Sequence, residues 1–411
     1  MSAIASRVRR TRDRVLRADP QLLIFLAGVV FLTAATGIFE TTFNNFLNDT
    51  FHITAGQRGR LEFPRELPGF LVAVAAGVLL FLPEVRVASV AAMATSAGMV
   101  GLAFWSRQFN PMLLWMILWS FGTHLIMPVR SSIGLSLAKA DKGGTRLGQI
   151  GGIGTFALIA GCSLVWIGSQ YLHFGYATLF AVGGVCAACG ALVFLWMRPR
   201  EHAPNGRSRF VLKRKYTLFY VLNLLFGARK QVFITFGPWV LIKVFGEPAP
   251  TIAKLWIVSS VIGIFFQPQL GRLIDRFGER AILTADAAAL VGVCLGYGFA
   301  RHLPLGAGAL YLVYGCFVLD HLLFSVGMAR DTYLSKIVED RADLMPSLSA
   351  GVSINHFVSM SIPAFGGMLW MRAGYEYVFL AAAGVALLML VAARLVRVPS
   401  DSRSGTWPLV Q

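Results

Sequence analysis

Ionisable residues interrupt several apolar runs of this sequence. Glu40 and Asp320 each lie within one such run, and the adjacent residues Arg229 and Lys230 lie near the middle of a third. A charged group in hydrocarbon is costly, so such residues normally face a bundle interior or a wet cavity and serve ion or proton pathways. We therefore interpret Glu40 and Asp320 as candidate proton carriers, and Arg229 and Lys230 as candidate contacts for an anionic or polar solute.

Other polar residues occupy similar apolar surroundings. The candidate solute contacts are His124, His321, Asn355 and His356. A lone histidine in a helical bundle is more often a hydrogen-bonded packing residue, and that alternative stays open. Asp320 lies beside His321, and desolvation of that carboxylate would favour its protonated form. No spacing typical of a metal site is present, and we expect neither a metal nor a cofactor.

A second group of charges lies close together in the sequence. Glu62, Arg65 and Glu66 occupy positions i, i+3 and i+4, and Pro64 and Pro68 lie among them. On a helix this spacing places the three side chains on one face. We interpret them as an ion-pair cluster at the outer rim, in preference to a binding site.

The elements that hold these residues follow from the composition. Of the 411 residues, 56% are hydrophobic and only 14% are charged, against about 25% charged in soluble chains. A soluble fold could not hide this much apolar surface, so we predict an all-α membrane protein and exclude an ordinary soluble enzyme.

No lysine follows a glycine, so a phosphate-binding loop for ATP is excluded.

Apolar runs separated by polar, Gly or Pro residues predict twelve transmembrane helices in two bundles of six. At about 20 residues per span, the chain is long enough for this number. The predicted spans are 21–46, 60–82, 87–106, 111–137, 147–168, 176–197, 216–243, 252–271, 281–300, 307–335, 347–370 and 377–397.

Basic residues give the expected orientation. The net charge is +17, and Lys and Arg concentrate before the first span and near mid-chain, as the positive-inside rule requires of cytoplasmic segments. Attraction to anionic lipid accounts for the remaining positive charge, and a nucleic-acid partner is not expected. We predict a cytoplasmic amino terminus (1–20), a six-helix bundle (21–197), a cytoplasmic linker (198–215), a second six-helix bundle (216–397) and a cytoplasmic tail (398–411).

The two halves share a weak internal repeat. Three pairs of segments match in chain order: Gly37–Phe46 with Gly227–Phe236, Arg130 with Arg330, and Gly152–Phe156 with Ser353–Phe357. Parallel repeats of this kind occur in transporters whose halves rock about a midplane site. The repeat places Glu40 opposite Lys230, so an ion pair between them is the alternative to solute contact.

The sequence resembles the major facilitator superfamily in span count, central basic loop and repeat. After span 8 it contains Gly271-Arg-Leu-Ile-Asp275-Arg276-Phe-Gly278-Glu-Arg280, which is similar to the family motif G-x-x-x-D-R-x-G-x-[RK]. The resemblance implies a cytoplasmic gate formed by Gly271, Asp275, Arg276, Gly278 and Arg280. It also implies that Asp275 pairs with a neighbouring helix, while Arg276 and Arg280 bind carboxylates or lipid phosphate.

Span 4 carries a second resemblance. Arg130-Ser-Ser-Ile-Gly134 is similar to the R-x-x-x-G element of proton-coupled drug antiporters in the family, which implies that Arg130 lies near a proton-carrying carboxylate. The alternative is that Arg130 extends to the cytoplasmic headgroups, because it lies in the inner half of its span.

These features together predict a monomeric secondary transporter in the inner or plasma membrane. It would move a small organic solute by alternating access, coupled to protons, and the span 4 motif favours export. Proton-coupled uptake of an organic anion is the alternative, because Glu40, Arg130, Arg229, Lys230 and Asp320 carry three positive and two negative charges. A membrane receptor or scaffold that does not transport is a further alternative from another class.

The orientation gives a first prediction. Single cysteines introduced at Asn205 and Asn48 should react with an impermeant thiol reagent from opposite faces of sealed vesicles, because one lies in the linker and the other in a loop poor in Lys and Arg. Labelling of both positions from the same face would contradict the twelve-span topology.

Overall fold

The computed structural model describes residues 19–71, 82–138, 143–199 and 213–398, which are almost entirely α-helical and contain no strand. The all-α prediction is confirmed for this part of the chain. The basic cluster before residue 19, residues 72–81 of the second predicted span, most of the linker and the tail beyond residue 398 lie outside the described residues.

Thirteen α-helices occur within those ranges. The helices before the linker are α1 (Pro20–Phe51), α2 (Ala55–Phe70), α3 (Glu84–Phe104), α4 (Phe109–Ser136), α5 (Gly143–Tyr171) and α6 (Tyr176–Leu195). The helices after it are α7 (Thr217–Lys243), α8 (Ala249–Phe277), α9 (Glu279–Phe299), α10 (Gly308–Leu323), α11 (Gly327–Ile337), α12 (Arg341–Ala373) and α13 (Tyr375–Arg394). A 3₁₀ turn, Phe324–Val326, joins α10 to α11, so these two helices form the predicted tenth span.

Nine helical segments of the described chain are long and apolar enough to cross a membrane, counting α10 and α11 as one. Helices α7 and α12 are of similar length but are not among these nine, and α7 carries Arg229 and Lys230 near its middle. These helices agree with the predicted multi-pass membrane protein.

Helix α2 begins five residues before the predicted start of the second span. Thr54 caps it: the Thr54 side chain accepts a hydrogen bond from the Gln57 backbone N–H, and the Gln57 side chain accepts one from the Thr54 N–H. This capping box satisfies two backbone donors that would otherwise lack partners. The earlier start brings Arg58 into the helix, where its side chain is buried.

The chain forms two compact units. The first comprises the described residues of 19–40, 82–138, 143–164 and 173–199. In it α3 packs against α4 and α6. Ser96 Oγ donates to Gly184 O at 2.8 Å, and Ser89 Oγ donates to Ala191 O at 2.9 Å, so small hydroxyl residues link α3 to α6. Such contacts are typical of membrane helices, where apolar burial alone does not drive association.

The second unit comprises residues 41–71, 165–172 and 213–398. In it α2 packs against α12, α9 packs against α13, and α7 packs against both α12 and α13. Residue contacts thus group the end of α1 and the whole of α2 with the helices after the linker. The two six-helix boundaries at the linker remain predictions from the sequence.

A pair of glycines in α5 tests the packing of the first unit. A Cβ at Gly161 would overlap the carbonyl oxygen of Ala34 on α1, whereas a Cβ at Gly151 would meet nothing within 4 Å. Gly161→Ala should therefore lower the free energy of unfolding by about 1–3 kcal/mol through overpacking. Gly151→Ala, the matched control, should leave it unchanged or raise it by up to about 1 kcal/mol. Thermal unfolding in detergent measures both; equal effects would contradict a close α1–α5 crossing.

Candidate functional site

Arg229 and Asp320 form an enclosed ion pair within the second unit. Arg229 Nη2 lies 2.8 Å from Asp320 Oδ1, and the Arg229 side chain is only 1% exposed. Its guanidinium carbon lies 4.7 Å from the ring centre of Phe324 and 5.7 Å from that of Phe233. Aromatic faces and a carboxylate thus surround the cation, and both kinds of contact stabilise a guanidinium away from water.

Local chain geometry positions this pair. Asp320 lies in the last turn of α10, directly before the 3₁₀ turn Phe324–Val326, and the Phe324 N–H caps the helix by donating to the Asp320 carbonyl. The same carbonyl lies 3.5 Å from Arg229 Nη2. The end of α10 therefore presents both a carboxylate and a backbone oxygen to one guanidinium.

Two further buried charges belong to the same unit. Asp286, on α9, is 4% exposed, and Arg330, on α11, is 5% exposed with its guanidinium carbon 3.5 Å from the ring centre of Phe226. Among the described residues, Asp286 Oδ1, Arg330 Nε and Arg330 Nη1 have no hydrogen-bond partner. Together with Arg229 and Asp320 they form a group that we call the α7–α11 cluster, with two positive and two negative side chains.

His321 is a packing residue of this region. Its ring stacks on Phe317 with centroids 4.5 Å apart, and it meets Trp256 edge-on at the same separation. His321 Nδ1 lies 3.2 Å from the Phe317 carbonyl oxygen, where it can donate a hydrogen bond. These aromatic contacts agree with the alternative that His321 is a packing residue. Asp320 pairs with Arg229 and not with His321.

A second buried cluster lies on α2. Glu62 is fully buried and accepts contacts from Arg58 and from Arg65, whose Nη2 lies 2.7 Å from Glu62 Oε2. Arg65 Nη2 also lies 2.9 Å from Glu66 Oε1. We call these four residues the α2 cluster. The sequence analysis identified Glu62, Arg65 and Glu66, and the structure adds Arg58 through the early start of the helix.

The α2 cluster is joined to two other helices. Gln231 Nε2 on α7 donates to Glu62 Oε2 at 2.7 Å, and His356 Nδ1 on α12 lies 3.2 Å from Glu66 Oε2. Among the described residues, none of the buried side-chain nitrogen and oxygen atoms without a partner belongs to the four charged residues of this cluster. The cluster thus links α2 to α7 and α12.

Lys230 differs from its neighbour Arg229, since its side chain is half-buried. Within the second unit the charges that act on it include those of Glu66, Arg65 and Glu62.

Asn355 lies where α7 crosses α12, with its backbone in close contact with Gly227, and its Oδ1 accepts a 3.3 Å hydrogen bond from Ser359.

Three predicted site residues belong to the first unit. Glu40 on α1 and Arg130 on α4 are half-buried. His124 is buried, with Nδ1 2.9 Å from the Ser120 carbonyl oxygen and 3.0 Å from Ser120 Oγ, which are contacts within α4. Lys230 belongs to the other unit, so its predicted pairing with Glu40 stays a prediction.

The predicted gate residues lie around the junction of α8 and α9. Gly278 ends α8 with φ +82°, a conformation that favours glycine. Asp275, Arg276 and Arg280 are exposed there, and they line a groove of about 1330 Å³. Glu279 is a buried charged residue of the same region, and its Oε1 lies 2.5 Å from Lys336 Nζ on α11.

The end of the linker is tied to α12 outside the predicted span. Lys213 Nζ donates to Asp343 Oδ2, and Tyr216 OH donates to the same oxygen at 3.1 Å. The hydrogen bond to Asp343 raises the pKa of Lys213, and the bond from Lys213 lowers the pKa of Asp343. Both shifts favour the charged forms, so the pair stays ionised around neutral pH.

Sequence reasoning missed three parts of these clusters. Arg58 lies before the predicted second span, Gln231 carries no charge, and Asp286 lies near the start of the predicted span 281–300. A signal for Arg58 was available in Thr54 and Gln57, whose spacing is that of a capping box. No sequence signal indicates that Arg330 and Asp286 lie near Arg229.

Residues 24–342 match the model of the Major Facilitator Superfamily, which is more than half of the chain. The protein therefore belongs to this superfamily, and the predicted fold of two six-helix pseudo-repeats is confirmed. Membership also makes it a membrane transporter and not an enzyme. No curated protein sequence matches the chain.

Solved transporters share the fold. The nucleoside transporter NupG has 15% identity and a TM-score of 0.73, with 91% of this chain and 98% of that chain covered. A bacterial homologue of the human lysosomal transporter Spinster has 15% identity and a TM-score of 0.72, covering 94% and 98%. A D-xylose-proton symporter has 16% identity and a TM-score of 0.68, also covering 94% and 98%. At such identities the likeness establishes the fold alone.

The α2 cluster generates a stability prediction. Glu62→Gln removes the carboxylate shared by Arg58 and Arg65 and leaves buried guanidinium charge without its partner. This should lower the free energy of unfolding by about 3–5 kcal/mol. As a control, Glu339→Gln breaks the exposed contact with Lys215 and should change little. Thermal unfolding of both variants in detergent is the measurement; equal losses would show that the α2 cluster adds no more than a surface pair.

Proposed function

We propose that this protein is a proton-coupled secondary transporter of a small organic solute, in which Asp320 carries the proton and Lys230 contacts a polar or anionic group of the solute. The observation that supports the proposal is the enclosed Arg229–Asp320 pair. A buried ion pair is weak evidence for stability, because the desolvation cost can exceed the attraction. Intramembrane ionisable pairs are typical of proton and ion pathways.

Protonation of Asp320 would change the contacts of α7 directly. A neutral carboxyl binds a guanidinium less strongly than a carboxylate does, so Arg229 would be released from α10. Helix α7 also carries Lys230, the half-buried neighbour that we assign to the solute. One proton would thus alter the helix that contacts the solute, which is what coupling requires.

Glu40 remains the competing proton carrier, and Arg130 is proposed to tune whichever carboxylate serves. Export is proposed from the R-x-x-x-G element around Arg130 alone. Support for proton coupling in general comes from one structural neighbour, a D-xylose-proton symporter, whose fold this chain shares.

The experiment uses purified full-length protein and a panel of pentoses, nucleosides and small organic acids. A compound that raises the thermal unfolding temperature then serves as the radiolabelled probe in proteoliposomes. Asp320→Asn should abolish accumulation driven by a pH gradient and retain exchange of probe for probe, because the loaded protein can change conformation without releasing a proton.

Two comparisons make the result decisive. Glu40→Gln receives the same assay, and Asp331→Asn, at an exposed position, is the matched control that should behave like wild type. Full gradient-driven accumulation in both Asp320→Asn and Glu40→Gln would refute the coupling assignment. If Asp320→Asn also loses exchange and Arg229→Gln restores it, the pair is structural, because the loss then arose from an uncompensated buried charge.

A further inference from the structure

Arg330 is a buried cation that the proposed function does not use. It lies on α11 and is 5% exposed, and its Nε and Nη1 atoms have no hydrogen-bond partner among the described residues. The carboxylates whose charges act on it, Asp286 and Asp331, both lie farther than 4 Å away. In contrast, Arg229 has Asp320 Oδ1 at 2.8 Å. A buried guanidinium without an anion in contact is strongly unfavourable, so Arg330 is suited to receive one.

The contact with Phe226 leaves the hydrogen-bond donors of Arg330 available. Its guanidinium carbon lies over the Phe226 ring, 3.5 Å from the ring centre. The ring stabilises the cation through its face, while the N–H groups of a stacked guanidinium stay in the guanidinium plane. Two N–H groups in one plane match the two oxygens of a carboxylate. The arrangement therefore suits an organic anion better than a neutral solute.

Lys230 lies on the same side of α7 as Phe226, because the two residues are four positions apart on the helix. Lys230 is half-buried, and no carboxylate oxygen among the described residues of the second unit lies within 4 Å of its ammonium group. Glu62 and Glu66, whose charges act on Lys230, are already in contact with Arg65. One face of α7 thus carries Lys230 and the ring on which Arg330 stacks, and a bound anion would offset both positive charges.

We propose that the transported solute is a small organic anion, and that Arg330 binds its carboxylate while Lys230 contacts the same anion. The inference rests on the proposed function and deepens it, because it names the class of the solute and adds Arg330 to the residues that hold it. Arg229 stays paired with Asp320, so the anion site and the proposed proton carrier use different arginines.

The charge balance of Arg330 can be tested without any solute. In the purified full-length protein, Arg330→Met replaces the cation by an apolar side chain that can still pack on Phe226. Removal of an uncompensated buried charge should leave the thermal unfolding temperature unchanged or raise it by a few degrees. Arg229→Met, which removes one partner of a buried pair, should lower it. An equal fall in both variants would overturn the proposal, because groups of the protein would then already balance Arg330.

Binding is tested with acetate, benzoate and succinate as probes, at constant pH and ionic strength, and with acetamide, benzamide and succinamide as their neutral counterparts. At least one carboxylate should raise the unfolding temperature of the wild type in a saturable manner, and its amide should not. Arg330→Met should require at least about tenfold more of that carboxylate. Arg272→Gln, at an exposed position of α8, is the matched control and should respond like wild type. No response to any carboxylate, an equal response to the amide or an undiminished response of Arg330→Met would overturn the proposal.

Failure of this inference is distinguishable from failure of the proposed function. Carboxylate binding in detergent without accumulation driven by a pH gradient would refute proton coupling and retain the anion site. Gradient-driven accumulation of a neutral solute, with no carboxylate bound, would refute the anion site and retain the coupling. If Arg330→Met fails to fold, Lys230→Gln replaces it and should weaken carboxylate binding by about threefold; an unchanged affinity would overturn the proposal.

Discussion

The pairing of Arg229 with Asp320 constrains how the second unit can pack. A guanidinium that is 1% exposed needs a carboxylate and hydrogen-bond acceptors on the side facing the bundle, since its charge would otherwise be uncompensated. This requirement fixes the rotation of α7 about its axis. Because adjacent helical residues point about 100° apart, Lys230 is then directed away from the pair. One contact therefore decides which of the two adjacent cations is buried against the carboxylate.

The same constraint acts on α2, which has a low apolar content and two prolines within it. Proline removes a backbone hydrogen bond and disfavours a helix interior, so α2 depends on its surroundings more than the other helices do. The Thr54 capping box, the four charges of the α2 cluster and close packing of Gly59 against the Pro363 carbonyl of α12 supply that support. Buried charge is tolerated there because every member of the α2 cluster has a partner.

The sequence was sufficient to predict the features that depend on composition and on the length of the apolar runs. Twelve spans follow from apolar run length, and the charged positions Arg229, Asp320 and Glu62 are visible because charge is rare in such runs. Pairing was not predictable, because it depends on helix rotation and on contacts between distant segments. Glu40 and Lys230 were matched by repeat position, whereas the structure shows Arg229 paired with Asp320, 91 positions later. Arg58 was missed because the start of the helix was predicted from the length of the apolar run. The capping residues Thr54 and Gln57 mark that start more accurately.

The two buried clusters differ in a way that bears on coupling. In the α2 cluster, Glu62 receives Arg58, Arg65 and Gln231, so a proton arriving there would have to displace contacts that are already made. In the α7–α11 cluster, Asp286, Asp320 and both arginines each have at least one buried polar atom with no hydrogen-bond partner among the described residues. A switch needs two states that differ by only a few kcal/mol. A fully satisfied network holds helices together, whereas a partly satisfied one can change partners, and this distinction is our reason for placing the proposed coupling in the α7–α11 cluster.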